Sequence, residues 1–274
     1  MGVTKAPCYH QVGRREDTPV STSNPIYLIY GWTQTNHKRS ITPYPEVPKM
    51  GVNIHTIPLG FDHCYVIQDE GMIMVDGGSP KKEKEFGKAL EELQINPRDI
   101  TLMIMTHAHW DHIGSAKEIK ELTGAKIALH FEETEWLEKS LKPMPPGVTL
   151  WGHIFGGIIK SFLPLVHIPP TEVDLVLEDK GMSLSEYGIH GKVIHTPGHS
   201  PGSVSIVLET GDAFVGDLAM NKFPLRLTPG LPIFAEDWAA LKKSWQLLLE
   251  QGAKTIYPAH GKPFPVEIIQ KALL

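Results

Sequence analysis

The sequence predicts an α/β protein arranged as a four-layer αββα sandwich, two sheets face to face with helices on both outer sides. Two observations point there. Short apolar runs that end in turn residues alternate with longer segments carrying an apolar stripe at helical spacing. The same strand-then-helix theme returns in the second half of the chain, although the halves share no close repeat.

Residues 1–50 read as an N-terminal extension. They are polar and punctuated by Pro43, Pro45 and Pro48, and only residues 26–32 are apolar enough for a strand. The extension is expected to pack on the body or on a second subunit, the alternative being a loosely ordered arm. Residues 51–274 form the main domain. Strands are expected at 53–58, 64–68 and 72–75, separated by turn signals at Gly60 and Glu70-Gly71. Ser79 is expected to cap a helix with Pro80 in its first turn and Phe86, Ala89, Leu90 and Leu93 on its buried stripe. Residues 102–105 form a continuous apolar strand. A second helix buries Ile113, Ala116, Ile119 and Leu122 and stops at Gly124. A strand at 126–129 and a short helix at 132–141 follow.

In the second half, residues 192–195, 204–208 and 213–215 read as strands. Asp237 caps a helix with Trp238, Leu241, Trp245 and Leu248 on one face, closed by Gly252, and residues 255–257 form a last inner strand. Between the halves, proline-bracketed residues 142–170 carry Trp151, Ile154, Phe155, Ile158, Ile159, Phe162 and Leu163 on one helical stripe. The stripe is either core, a dimer interface, or an apolar lid whose Phe155, Ile159 and Phe162 line the substrate site. The Gly156-Gly157 pair inside it is expected to weaken the helix and leave room for motion.

A formal charge of -5 and a pI near 6.3 argue against nucleic acid as a partner. Cys8 and Cys64 show neither zinc-finger nor redox spacing. No apolar run of membrane-spanning length occurs and the start lacks an apolar signal core, so the cytoplasm is the expected location. A small-molecule substrate is the expected partner, with a homodimer as an option.

Chemistry concentrates in four places. Residues 106–112 read Thr-His-Ala-His-Trp-Asp-His, directly after an apolar strand. His107 and His109 are two apart, so in extended chain they point the same way and can clasp one ion. Asp111 and His112 open the next helix and can reach a second. His199 lies in a tight loop after a strand, Asp217 follows Val215-Gly216 at a strand end, and His260 precedes Gly261 at another. Ligands at strand ends are well aimed, because the sheet fixes the backbone while loops expose side chains. Seven candidates are too many for one tetrahedral ion.

These motifs resemble the metallo-β-lactamase superfamily from about Val52 onward. The resemblance implies that His107, His109 and His199 hold one metal, that Asp111, His112 and His260 hold a second, and that Asp217 bridges them. Asp76 matches the family's first motif, a buried carboxylate that orients a ligand histidine. The implied cofactors are two divalent ions, zinc first, with iron or manganese as alternatives. A bridging aspartate sets the chain apart from the β-lactamases proper and aligns it with the glyoxalase II and lactonase branch. Fourteen residues follow His260, too few for the helical domain with which glyoxalase II grips glutathione. The residues Leu218-Ala219-Met220 offer no lactonase-type tyrosine, and no arginine-rich stretch of the sulfur dioxygenases follows. The implied reaction is attack of a metal-bridging hydroxide on an ester, thioester or lactone carbonyl, with Asp111 and Asp217 positioning it. An iron-dependent, sulfur dioxygenase-like oxidoreductase and a β-lactam hydrolase are the alternatives. His63 is expected at the pocket mouth. His195 is read as a packing residue, His153 and His167 as parts of the lid, and His10, His37, His55, His130 and His190 as structural.

Overall fold

The computed structural model describes residues 51–274; the expectations for residues 1–50 lie outside the described residues. Two six-stranded sheets form the framework. The first runs in the order β1 (Asn53–Pro58), β2 (His63–Gln68), β3 (Met72–Val75), β4 (Leu102–Ile104), β5 (Lys126–His130) and β6 (Leu175–Leu177). Its first three strands pair antiparallel and the rest parallel. The second holds β7 (Met182–Ser183), β8 (Gly191–His195), β9 (Val204–Leu208), β10 (Asp212–Asn221), β11 (Thr255–Gly261) and β12 (Phe264–Pro265) in sequence order. Only β10 and β11 pair parallel there.

Strand alternation builds the layers. Ile73, Val75, Leu102 and Ile104 point at the second sheet and share one apolar cluster with Val193, Val204, Ile206 and Phe214. Their neighbours Met72, Met74 and Met103 point outward, onto Phe86 and Leu90 of α1 (Glu83–Glu92) and Ile119 of α2 (Ala116–Thr123). Val207, Ala213, Val215 and Ile256 meet Leu241, Trp245 and Leu248 of α5 (Trp238–Glu250) and Ile269 of α6 (Glu267–Leu273). The helix–sheet–sheet–helix order is the expected one. Tyr65, buried between the sheets, donates its hydroxyl to the Pro258 carbonyl at 2.6 Å. No helix among the described residues is long and apolar enough to cross a membrane.

Several expectations need correction. Ser79 does not cap α1, which starts at Glu83 with no side-chain cap bond. Its hydroxyl donates to Asp62 Oδ1 at 3.0 Å, and its carbonyl accepts the Ser115 hydroxyl, which in turn accepts the Lys82 N–H. The serines join two loop ends and neither remains free to cap. Leu93 and Leu122 are exposed. The helix expected at 132–141 contracts to α3 (Thr134–Glu138), preceded by a 3₁₀ turn. β7 and β12, two residues each, are too short for alternation to reveal. β10 continues past Val215 to Asn221, with register shifts against β11 on both sides of Gly216.

The stripe at 142–170 folds as α4 (Leu150–Phe162), capped by the Thr149 hydroxyl on the Gly152 N–H. It is not core. Trp151, Ile154, Ile158 and Phe162 are exposed by 42 to 61%. Phe155 and Ile159 face inward, onto a small separate cluster of Met220, Leu225, Ile233 and Phe234. Gly156 is a contact rather than a hinge, since a Cβ there would sit 3.1 Å from the Phe234 ring. Gly152 likewise lets the helix approach the Ile233 carbonyl, which a Cβ would meet at 2.2 Å.

This division predicts a contrast in urea unfolding. Ile206→Ala, between the sheets, should cost about 2–5 kcal/mol. Phe162→Ala, on the exposed side of α4, should stay within about 0.5 kcal/mol of the parent. A loss of several kcal/mol at Phe162 would return the stripe to the core.

Candidate metal centre

The strand ends carry the expected residues to one place. His107, His109, Asp111 and His112 lie on the loop after β4, and His199 on the loop between β8 and β9. Asp217 stands in β10 within the register shift that follows Gly216, and His260 lies near the end of β11. Ligand atoms lie within 4.8 Å of one another in three sets: His107, His109 and His199; His107, His112 and Asp217; and Asp111, His112 and His260. Asp217 Oδ1 is 3.4 Å from His112 Nε2 and 3.3 Å from His260 Nε2, while its Oδ2 is 3.6 Å from His199 Nε2. Asp111 Oδ2 lies 3.5 Å from His260 Nε2.

The far side of most rings decides which nitrogen faces inward. His112 Nδ1 donates to Asp76 Oδ2 at 3.0 Å, His199 Nδ1 to the Phe234 carbonyl at 3.0 Å, and His260 Nδ1 to the Phe61 carbonyl at 3.2 Å. The Thr106 hydroxyl donates to Asp76, so its oxygen accepts the His107 Nδ1 proton at 3.1 Å. A neutral ring that spends its proton on Nδ1 presents a bare lone pair at Nε2. His109 is turned the other way, with Nδ1 3.0 Å from His199 Nε2 and its ring stacked on Trp136. The Nε2 atoms of His107 and His112 and Asp217 Oδ1 are buried with no hydrogen-bond partner. Donor atoms that converge in this way are held together either by protons on the rings or by a cation among them. The residues therefore fit divalent metal ions, and imidazole with carboxylate is the donor set such ions take.

Electrostatics agree. Burial holds His107, His109 and His199 below the ordinary histidine pKa, so they are neutral and able to ligate. Burial also opposes charge on His112, but Asp76 and Asp217 outweigh it and hold the pKa well above the usual value. Burial is likewise overcome at His260, pushed to about 9 by Asp217 ahead of Asp111 and Asp62. Without metal, these two rings carry the protons that balance the carboxylates.

Asp76 sits at the end of β3 in the left-handed backbone region, φ 61°. Its Oδ1 accepts the Thr106 N–H at 2.7 Å, and its Oδ2 holds His112. Two buried acids were not anticipated. Glu133 accepts the Ala108 N–H at 2.6 Å and the Gly202 N–H at 2.8 Å, joining the two ligand loops. Burial pushes its pKa to about 7. Asp62 is driven to about 8 by burial and then by Asp111. Both follow the strand-end signal used for the ligands, Glu133 three residues past β5 and Asp62 just before β2.

The ligands open into a cavity of about 310 Å³ walled by Phe61, Met144, Phe155, Ile159, Phe162, Leu225 and Phe234. Phe155, Ile159 and Phe162 line it. His63 does not; it starts β2, half-buried, and Phe61, two residues earlier, lines the cavity instead.

A family model described as metallo-beta-lactamase superfamily matches residues 57–260. The chain is 28% identical over 163 residues to the probable metallo-hydrolase YqgX of Bacillus subtilis (59% of this chain, 67% of the relative). It is 27% identical over 184 residues to the hydroxyacylglutathione hydrolase GloC of Haemophilus influenzae (63% of this chain, 77% of the relative). In fold it is similar to the metallo-beta-lactamase superfamily protein ST1585 of Sulfolobus tokodaii, with TM-score 0.60, 20% identity, and 81% and 84% of the two chains covered. The BLEG-1 B3 metallo-beta-lactamase aligns with TM-score 0.58 and 22% identity over 78% of this chain and 95% of its own.

Glu133→Ala strands two buried N–H groups, at about 1–3 kcal/mol each. It should lower stability accordingly and weaken metal retention on the order of 10–100-fold, measured by chelator competition. The pH dependence has a definite sign. Between the ordinary glutamate range near 4.5 and about 7, the folded chain holds a proton at Glu133 that the unfolded chain has released. Its destabilising contribution is full above pH 7 and is relieved as pH falls through that window. Melting temperatures of the parent and Glu133→Gln should therefore move together toward higher pH but diverge below 7, the parent gaining relative to the variant.

Proposed function

The chain belongs to the metallo-β-lactamase superfamily, and on that premise we propose that it is a dinuclear, zinc-dependent hydrolase of small esters, thioesters or lactones with an apolar acyl part. The observation that carries this reading is the convergence of seven histidine and aspartate side chains, of which His109, Asp111, His199, Asp217 and His260 line an apolar-walled cavity. His107, His109 and His199 would hold one ion and Asp111, His112 and His260 the other, with one Asp217 oxygen toward each. Bound divalent ions supply Lewis acidity for a carbonyl and bring the pKa of water toward neutrality.

The chain's own residues do the rest. Asp76 fixes the ring plane of His112 and, through Thr106, that of His107. Asp111 and Asp217 both face the cavity, and their carboxylates orient an attacking water by accepting its hydrogens. The apolar walls exclude bulk water and take the acyl group. Among the described residues no lysine or arginine lines the cavity. That disfavours phosphodiesters, and it disfavours the anionic glutathione moiety named for the Haemophilus relative.

Asp217→Ala and Asp111→Ala should each lower metal content relative to the parent by about one ion or more per chain and cut turnover at least about 100-fold, with the circular dichroism spectrum unchanged. Near-parental turnover in either variant would remove the assignment. Across a homologous acyl thioester or lactone series, kcat/KM should rise by about fourfold per methylene, the equivalent of about 0.8 kcal/mol, until the cavity is full. A flat profile would exclude the acyl pocket.

A further inference from the structure

The outer face of α4 is apolar and exposed, and it runs on into the mouth of the cavity. Leu150, Trp151, Ile154, Ile158 and Phe162 recur on one side of the helix and are exposed by 42 to 78%. Phe223 and Leu227, on the loop after β10, are exposed by 75 and 88%. We propose that this face docks the protein on an anionic lipid membrane, with the cavity mouth at the level of the headgroups.

The face is one built surface. The Trp151 indole donates to the Pro224 carbonyl at 2.8 Å, which joins the helix to the loop. Lys222 Nζ donates to the Phe61 carbonyl at 2.8 Å, which joins the loop to the cavity wall. A contiguous apolar surface left in water marks an interaction site. The helix has 13 residues and is about 20 Å long. A bilayer core is about 30 Å thick, so the helix lies along a membrane and not across it.

The charge selects the kind of surface. The whole chain carries a formal charge of -5, yet residues 142–170 and 218–235 hold Lys142, Lys160, Lys222 and Arg226 and no aspartate or glutamate. Basic residues beside tryptophan, phenylalanine and leucine are the composition of a helix that rests in the headgroup region. The same charge argues against a second copy of the chain. A two-fold axis would lay the face on itself and set its cations against one another with no acid between them. Anionic headgroups supply the missing charge. Ile158 and Phe162 stand on the exposed face and also line the cavity, so the docked surface and the entrance coincide. An acyl chain dissolved in the bilayer then reaches the ligands along an apolar wall without crossing water, a consequence that rests on the hydrolase reading above.

The test is cosedimentation of the full chain with vesicles of phosphatidylcholine alone and of phosphatidylcholine with about one third phosphatidylglycerol. The parent should bind the anionic vesicles at least about tenfold more tightly than the neutral ones, and high salt should shrink the difference. Leu150→Glu combined with Ile154→Glu should weaken binding at least about tenfold, and Lys160→Glu about fivefold. Melting temperatures and turnover of a soluble short-chain ester should stay at the parental values. Asp217→Ala should bind vesicles as the parent does, so failure of the functional reading leaves the docking result readable. No binding of the parent to anionic vesicles, or equal binding by the parent and the double variant, would overturn the proposal. So would a dimer in light scattering that the double variant dissociates, because a second copy would then cover the face.

Discussion

Asp76 accepts the Thr106 amide, the Thr106 hydroxyl and the His112 ring, and the arrangement of the ligand rim hangs on those bonds. They tie the end of β3 to the loop that follows β4, so four ligands inherit the rigidity of a sheet. The backbone at Asp76 is left-handed, a conformation that aspartate tolerates better than most residues. Thr106 passes the constraint on to the second sheet. Gly216 packs so tightly against it that a Cβ would lie 2.4 Å from its hydroxyl oxygen. The end of β3, the end of β4 and the middle of β10 thus meet around one threonine, and Asp217 is the next residue along.

Much of this was legible in the sequence because the decisive signals are local. Strands such as Met72–Val75 and Val204–Leu208 announce themselves as apolar runs bounded by turns, and the ligands sit at their ends. The layer order followed from two strand-then-helix halves. What stayed hidden depends on contacts between distant segments. Ser79 looks like a helix cap until Asp62 and Ser115 claim it. Glu133 looks like a surface acid in a helix, and only its pairing with Ala108 and Gly202 buries it. The glycines of α4 suggested looseness, yet Gly156 marks close approach, because the Phe234 ring that fills the space lies far along the chain.

The centre divides its work between two environments. Behind the ligands, Asp76, the Phe234 carbonyl and the Phe61 carbonyl each fix one ring. In front of them lies a wall of aromatic and aliphatic side chains with little polar character. Two of the fixing carbonyls belong to residues whose side chains also form that wall. A shift of the wall at Phe61 or Phe234 is therefore transmitted to His260 or His199 through the same residue.

The small glycine contacts of α4 have a consequence for descent. The helix is attached to the body through Gly152 and Gly156 and through inward-facing Phe155 and Ile159, while the main apolar layers close without it. Substitutions along its remaining positions meet neither the sheets nor the ligands. A lineage that holds the two glycines and the inward-facing Phe155 and Ile159 can exchange the outward positions of the helix, and with them the shape offered to a substrate, without passing through unfolded intermediates. Diversity among relatives should therefore gather in this helix while the rim of strand ends stays the same.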